Sequence, residues 1–182
     1  MTNWKTDIKK LVYSDAWAKL YVDKISSSSG AKTDYVYLSR TTVGVSIVPY
    51  FEKSQSVLLV RQYRHPIGKA IWQFPAGGKE AGESFSQTAK KELLDETGYE
   101  VSSLVDLGKY YPDAGISSDE GRVFVALNPK KKFDKAKKDP LEKIDIKEVN
   151  LATLEKMIKS GRIRDGWTLG AYSLFKLWTE TK

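Results

Sequence analysis

Residues 77–99 read GGKEAGESFSQTAKKELLDETGY and form the most informative stretch of the chain. Ser84 and Gln87, three residues apart, carry the signature of a capping box, in which each side chain bonds the other residue's backbone N–H. Gly98 is a typical residue at which a helix ends. The stretch therefore predicts a helix over residues 84–97, preceded by a glycine-bearing loop over residues 76–83.

Two glutamates share one side of this predicted helix. At about 100° per residue, Glu92 and Glu96 point within about 40° of each other. Phe85 and Ala89 fall on the same side, so this is not the pattern of a solvated face with carboxylates paired to lysines. Like charges one turn apart repel each other unless something neutralises them. The pair therefore favours a bound divalent cation over a solvated acidic face.

The amino-acid composition excludes several kinds of catalytic and metal-binding site. The 182-residue chain has no Cys and one His, His65, which excludes disulfides, thiolate metal sites, a Cys nucleophile and His-rich metal centres. A metal held by carboxylates points to a hard ion, Mg²⁺ or Mn²⁺. Thirty Lys and Arg against 23 Asp and Glu give a net charge of +7, which suits a polyanionic ligand.

The rest of the chain predicts one α/β or α+β sandwich with three helices. The predicted strands cover residues 18–25, 34–38, 43–50, 56–61, 71–74, 104–111, 122–127 and 144–149. The other two helices are predicted over residues 151–160 and 168–178. No apolar run is long enough to span a bilayer, and charges occupy the start of the chain where a signal peptide would be apolar. We therefore expect a cytoplasmic protein with no membrane partner.

Residues 77–99 resemble the box of the Nudix hydrolases, G-x5-E-x7-R-E-U-x-E-E-x-G-U, in which U is apolar. The matching residues are Gly77, Glu83, Glu92, Leu93, Glu96, Gly98 and Tyr99. Lys91 replaces the Arg of the pattern and lacks its bidentate fork. Asp95 replaces a Glu and is one methylene shorter. The segments VLLVRQYRHP, IWQFPAGG and IRDGWTLGAYSLFKLW are similar to the ADP-ribose pyrophosphatase and nucleoside diphosphate sugar hydrolase branch of this family.

This resemblance implies the Nudix α/β/α sandwich with a mixed sheet, preceded by a small β-rich segment. It implies that residues 1–40 serve dimerisation and base binding, and that residues 41–182 form the Nudix domain. An intertwined homodimer is common in this branch.

The resemblance also implies a set of metal and phosphate ligands. Glu92, Glu96 and the backbone carbonyl of Ala76 match the family's metal ligands, with Glu96 also in a catalytic role. Arg64 and Arg40 match the arginines that hold the diphosphate.

Further residues match the family's substrate-binding positions. Trp17 and Tyr35 match aromatic residues that sandwich the base in some relatives, although ordinary packing is an equal alternative. Gln73 stands where a Glu usually precedes the P-A-G turn. Gly115 and Ser117, in a loop over residues 111–120, could line the terminal sugar.

The catalytic base of this branch lies outside the box. Glu142 is the first candidate, because it lies in the loop that precedes a late strand. Asp139, Glu120 and Asp119 are alternatives.

The implied reaction is metal-dependent hydrolysis of a nucleoside diphosphate sugar to a nucleoside monophosphate and a sugar phosphate. ADP-ribose is the leading substrate. Ala114 replaces a Pro that accompanies ADP-ribose specificity, so GDP-mannose and other nucleoside diphosphate sugars stay open. The alternatives are an RNA 5′-pyrophosphohydrolase, a nucleotide-pool sanitiser and a non-catalytic nucleotide sensor. Nucleic acid is an unlikely partner, because the basic run over residues 130–138 contains a single aromatic residue, Phe133.

Overall fold

The computed structural model describes residues 3–40, 42–133 and 144–182. These residues form thirteen strands and three α-helices. The strands are β1 (Trp4–Ile8), β2 (Leu11–Ser14), β3 (Ala18–Ser27), β4 (Lys32–Arg40), β5 (Gly44–Phe51), β6 (Ser56–Arg64), β7 (Lys69–Gln73), β8 (Ala76–Gly78), β9 (Tyr99–Glu100), β10 (Leu104–Tyr110), β11 (Gly121–Leu127), β12 (Lys130–Lys131) and β13 (Asp145–Asn150). The helices are α1 (Phe85–Thr97), α2 (Leu151–Lys159) and α3 (Gly166–Glu180).

The chain divides into two compact units. The first unit comprises Met1–Val43 and Tyr111–Glu120. In it, β3 and β4 form an antiparallel hairpin, and β1 and β2 pair with the other edge of β3. The inserted segment Tyr111–Glu120 runs beside β4, where Leu38 N donates to Ile116 O at 2.8 Å.

The second unit comprises Gly44–Tyr110 and Gly121–Lys182. Its sheet has the order β10-β11-β5-β6-β13, and β7 and β8 pair with β6 and β5. The β11–β5 pair is parallel and the other pairs are antiparallel, so the sheet is mixed.

Alternation along the central strands gives this unit three layers. On β11, Phe124 and Ala126 point into a core with Leu93 of α1, whereas Val123 and Val125 join the core that contains α2 and α3. Successive side chains of a strand face opposite sides of the sheet. The structure therefore has one helix on one face and two on the other, which confirms the predicted α/β/α sandwich.

The three predicted helices are confirmed, with small differences at their ends. Ser84 caps α1 through a complete capping box, and Gly98 closes it in the left-handed region at φ 74°. Helix α3 begins at Gly166 and not at residue 168, because the Asp165 side chain caps it.

Five short strands, β1, β2, β8, β9 and β12, depart from the sequence prediction. β1 and β2 are exposed along their whole length, so they show no apolar alternation, and pairing with β3 defines them. β8 lies in a predicted loop, where three residues pair with β5. β12 lies at the start of the basic run over residues 130–138 and pairs with β9. β1, β8, β9 and β12 depend on partners distant in sequence, whereas β2 pairs with the next strand in the chain. In the part of the chain that the structure describes, no helix has the length and apolarity needed to cross a bilayer.

Candidate active site

The segment that enters β8 supplies a backbone carbonyl next to α1. Pro75 O accepts a hydrogen bond from Ile47 N at 2.8 Å, and the pairing continues with Ser46 opposite Ala76. Hydrogen-bonded and non-hydrogen-bonded pairs alternate along an antiparallel ladder. The N–H and C=O of Ala76 are therefore directed away from β5.

Both predicted metal-binding glutamates of α1 reach this segment. Glu96 is buried, and its Oε2 atom accepts a hydrogen bond from Ala76 N at 3.1 Å. Glu92 lies against Gly77, where an added Cβ would be 2.2 Å from the Glu92 carboxyl carbon. The glycine of the box is thus required because a side chain there would occupy the place of Glu92.

This donor set fits a hard divalent cation. Magnesium typically binds one or two carboxylates and completes its shell with water and substrate phosphate oxygens. Glu92, Glu96 and the Ala76 carbonyl offer oxygen ligands of that kind beside one short strand. Among residues 3–40, 42–133 and 144–182, no three acidic or His side chains cluster closely enough to hold a metal ion. The backbone carbonyl of Ala76 is the third member of the candidate set.

Lys91 anchors the loop before α1 although it replaces the arginine of the box. Its Nζ atom lies 2.6 Å from Glu80 Oε1 and 3.4 Å from Glu83 Oε1. Thr88 Oγ1 donates to Glu83 Oε2 at 2.8 Å. The Thr88 hydroxyl, with a smaller contribution from Lys91, lowers the pKa of Glu83. The hydrogen bond to Glu80 raises the pKa of Lys91. One ammonium group thus holds two carboxylates.

Arg64 is held at the end of β6 by Gln73. Arg64 Nε donates to Gln73 Oε1 at 3.0 Å, and Gln73 Nε2 donates to Gln62 Oε1 at 3.4 Å. Gln73 is 2% exposed, so it contacts Arg64 from the protein interior and orients its side chain. A direct contact between Gln73 and substrate stays a prediction.

The first unit brings three other predicted residues together. Tyr35 donates its hydroxyl to Gly115 O at 2.7 Å. Tyr35 and Ser117 line a cavity of about 690 Å³, which Trp4 and Tyr37 also line. Sequence reasoning did not single out Trp4 and Tyr37, although both are aromatic residues in a strand-rich segment. Trp17 does not line this cavity and is 78% exposed.

Arg40 also belongs to the first unit, where it pairs with Asp119. The backbone N of Arg40 donates to Asp119 Oδ1 at 2.8 Å, and Arg40 Nε lies 3.2 Å from Asp119 Oδ2. Glu120 is adjacent in the chain and half-buried. Glu142 and Asp139 lie outside the described residues.

The family comparison agrees with this geometry. The family model described as NUDIX domain matches residues 40–166. The chain therefore belongs to the Nudix family of hydrolases, whose members generally depend on a divalent metal ion.

Several relatives are similar over nearly the whole chain. An ADP-ribose pyrophosphatase of Bacillus subtilis (strain 168) is 27% identical over 95% of this chain and 92% of the relative. A methanol dehydrogenase activator of Bacillus methanolicus is 31% identical over the same shares. A GDP-mannose pyrophosphatase of Shigella flexneri is 29% identical, with 93% of each chain covered. A crystal structure of an ADP compounds hydrolase has a TM-score of 0.84 at 18% identity, with 98% of this chain and 95% of that chain covered, and shows the shared fold.

Proposed function

We propose that this protein hydrolyses the diphosphate bond of nucleoside diphosphate sugars, giving a nucleoside monophosphate and a sugar phosphate. The observation that carries the proposal is the placement of Glu92 and Glu96 against the segment Ala76–Gly78. Relatives named ADP-ribose pyrophosphatase and GDP-mannose pyrophosphatase align with more than nine-tenths of this chain. ADP-ribose is the leading substrate, and GDP-mannose is the first alternative.

Glu92, Glu96 and the Ala76 carbonyl would hold the divalent cation, with Mg²⁺ preferred and Mn²⁺ acceptable. When bound, such an ion offsets charge on the diphosphate and acidifies water for attack on phosphorus. Glu142 is the proposed acceptor of the proton from the attacking water, with Asp139, Glu120 and Asp119 as alternatives.

Two arginines and two aromatic residues would hold the substrate. Arg64 and Arg40 would contact the diphosphate through their guanidinium groups. Support for Arg64 comes from its hydrogen bond to Gln73, which fixes its direction. Tyr35 would contact the base, and Trp17 keeps the same predicted role.

Gly115 and Ser117 are proposed to contact the terminal sugar. Ser117 lines the same cavity as Tyr35, which supports a shared role in substrate binding.

A homodimer is part of the proposal. The first unit exposes several large apolar side chains, as surfaces that bind another protein chain do. These include Trp4, Ile8, Leu11, Val12, Tyr13, Val36 and Leu38. Light scattering after size-exclusion chromatography should give about twice the 20.5 kDa chain mass. A monomer at micromolar concentration would contradict the dimer. The cytoplasmic location stays a prediction from the sequence.

The testing experiment measures sugar phosphate release from ADP-ribose, GDP-mannose and further nucleoside diphosphate sugars, with Mg²⁺ and with EDTA. The full chain and the Glu92→Gln variant are compared side by side. We expect release that requires metal and that Glu92→Gln abolishes. Comparable rates on several sugars would define a broad nucleotide-sugar hydrolase. No release from any of them would overturn the proposal and direct attention to triphosphorylated RNA and nucleoside triphosphates.

A regulatory role is the second candidate, and the similarity to the methanol dehydrogenase activator favours it. It predicts that an effect on a dehydrogenase partner survives when Glu92 and Glu96 are both changed to Gln. If the double substitution abolishes both hydrolysis and the effect on the dehydrogenase, the enzymatic role alone is favoured.

A further inference from the structure

The start of α3 contains a hydrogen-bonded side-chain pair that the catalytic proposal does not use: the half-buried N-cap residue Asp165 and the buried Thr168. Asp165 Oδ2 accepts hydrogen bonds from both the backbone N and the Oγ1 of Thr168, each at 2.8 Å. Thr168 is 1% exposed. An ionised carboxylate only accepts hydrogen bonds, so Asp165 fixes the direction in which the Thr168 hydroxyl donates.

The oriented hydroxyl reaches the segment that leads into β8. With its proton directed at Asp165, Thr168 Oγ1 accepts a hydrogen bond from Phe74 N at 3.1 Å. Phe74 is 1% exposed, and a buried backbone N–H left without a partner destabilises the fold. Phe74 follows the end of β7, so the Thr168 hydroxyl takes the place of a strand partner there.

Thr168 is one of several supports of the short run from Phe74 to Ala76. Pro75 O is held by Ile47 N, and Ala76 N is held by Glu96. The ring of Pro75 fixes its φ angle, which removes one of the backbone rotations that could absorb a displacement at Phe74. The Phe74 hydrogen bond thus lies two residues before the Ala76 carbonyl, with restricted backbone freedom between them.

The first turn of α3 is itself fixed to the sheet. The Trp167 ring packs on Gly44 and Gly121, where an added Cβ would lie 2.6 Å and 2.8 Å from its nearest ring atoms. Tyr110 OH donates to Trp167 O at 2.9 Å. These contacts hold Thr168 in a fixed position relative to the sheet.

We propose that Asp165 and Thr168 are positioning residues that set the Ala76 carbonyl for metal binding. The inference rests on the proposed function, because it takes Ala76 as a ligand. Neither residue has to contact the metal or the substrate, since both act through the backbone at Phe74.

The test compares Thr168→Val, which removes the hydroxyl at similar volume, with Thr168→Ser, which keeps it. Thr179→Val is the matched control at the other end of α3, where the Thr179 hydroxyl donates to Lys176 O. The Mn²⁺ dissociation constant is measured by electron paramagnetic resonance, beside Tm, kcat and KM. Changes in groups that orient metal ligands typically cost about 10–100-fold in affinity or activity. We expect Thr168→Val to weaken Mn²⁺ binding by about 10-fold or more, with kcat falling more than KM changes.

Thr168→Ser and Thr179→Val should bind Mn²⁺ as the wild type does. Equal affinity of Thr168→Val and wild type would overturn the inference. So would an equal loss in Thr168→Ser, or a wild type that binds no Mn²⁺. The proposed function is decided separately by wild-type hydrolysis. If the wild type binds Mn²⁺ but cleaves no nucleotide sugar, the substrate proposal fails while the Mn²⁺ comparison still decides the role of Thr168.

Discussion

The backbone N–H of Ala76 donates to the Oε2 atom of Glu96 at 3.1 Å, linking β8 to the last turn of α1. The contact joins two candidate metal ligands that are 20 residues apart in the chain. A carboxylate has two oxygens and several lone pairs, so accepting one N–H is compatible with binding a cation. The same contact fixes the Glu96 side chain before any ligand arrives.

Glu96→Gln should remove the negative charge of this side chain while keeping its hydrogen bond to Ala76 N. A Gln side chain can still accept the Ala76 N–H, so we expect Tm to change little. Hydrolysis should fall by at least about 100-fold, because a ligand should matter more than the outer groups that orient it. The measurement is the rate with saturating Mg²⁺. Glu100→Gln, which removes an exposed carboxylate paired with Lys132 just after α1, is the control and should be nearly as active as wild type. Full activity in Glu96→Gln would contradict the assignment of the metal site.

Gly77→Ala tests the close approach of Glu92. The added methyl would lie 2.2 Å from the Glu92 carboxyl carbon, so that side chain must move. We expect a drop in Mg²⁺-dependent activity of about 10-fold or more, in the range seen when metal ligands are misoriented. Gly166→Ala is the control, since its methyl meets no atom within 4 Å. Unchanged Mn²⁺ affinity in Gly77→Ala would show that Glu92 binds no metal.

Lys91→Met should remove the ion pairs by which Lys91 holds the loop residues Glu80 and Glu83. The pKa of Glu83 is lowered by the Thr88 hydroxyl and, to a smaller extent, by Lys91. A lowered carboxyl pKa stabilises the fold above the ordinary value of 4.5, and this stabilisation is lost as pH falls through the lowered pKa. We therefore expect Lys91→Met to be less stable than wild type at neutral pH, with the difference shrinking in acid.

Denaturant unfolding at several pH values measures this difference. Lys90→Met is the matched control on the neighbouring position, where the ammonium contacts Ser102 O at 2.6 Å. Lys91→Arg should retain both stability and activity. A pH-independent difference between wild type and Lys91→Met would show that the two carboxylates gain nothing from Lys91.

Tyr110 should make the protein sensitive to alkali. Burial raises the pKa of Tyr110 from 10.0 to about 12. A raised pKa gives stability that is complete below the unfolded value near 10 and is lost as pH rises toward 12. Wild type should therefore lose more stability between pH 9 and pH 11 than Tyr110→Phe does, measured by urea unfolding with about one-unit pH steps.

The exposed Tyr63 supplies the control for this alkaline effect, and Tyr63→Phe should behave as wild type. Phenolate absorbance should also show one tyrosine fewer titrating late in Tyr110→Phe. Identical pH profiles for wild type and Tyr110→Phe would refute the effect of burial.

The helix of the site and its acidic pair were predictable from the sequence. The capping box at Ser84, the stop at Gly98 and the spacing of Glu92 and Glu96 are local features, and helix geometry converts such spacing directly into a shared face. The central strands were equally predictable from the sequence, because strands buried on both faces read as continuous apolar runs.

The contacts that support the candidate ligands are visible only in the folded chain. β1 and β8 form by pairing with strands that are not their neighbours in the chain, and β2 is exposed along its whole length, so none of the three carries a periodic signal. The bond between Thr168 and Phe74 spans 94 residues, and the bond between Tyr35 and Gly115 spans 80. Hydrogen bonds between residues so far apart leave no trace in local spacing, because each depends on where the packed layers bring the chain. For the same reason the burial of Gln73 beneath Arg64 became visible only in the fold.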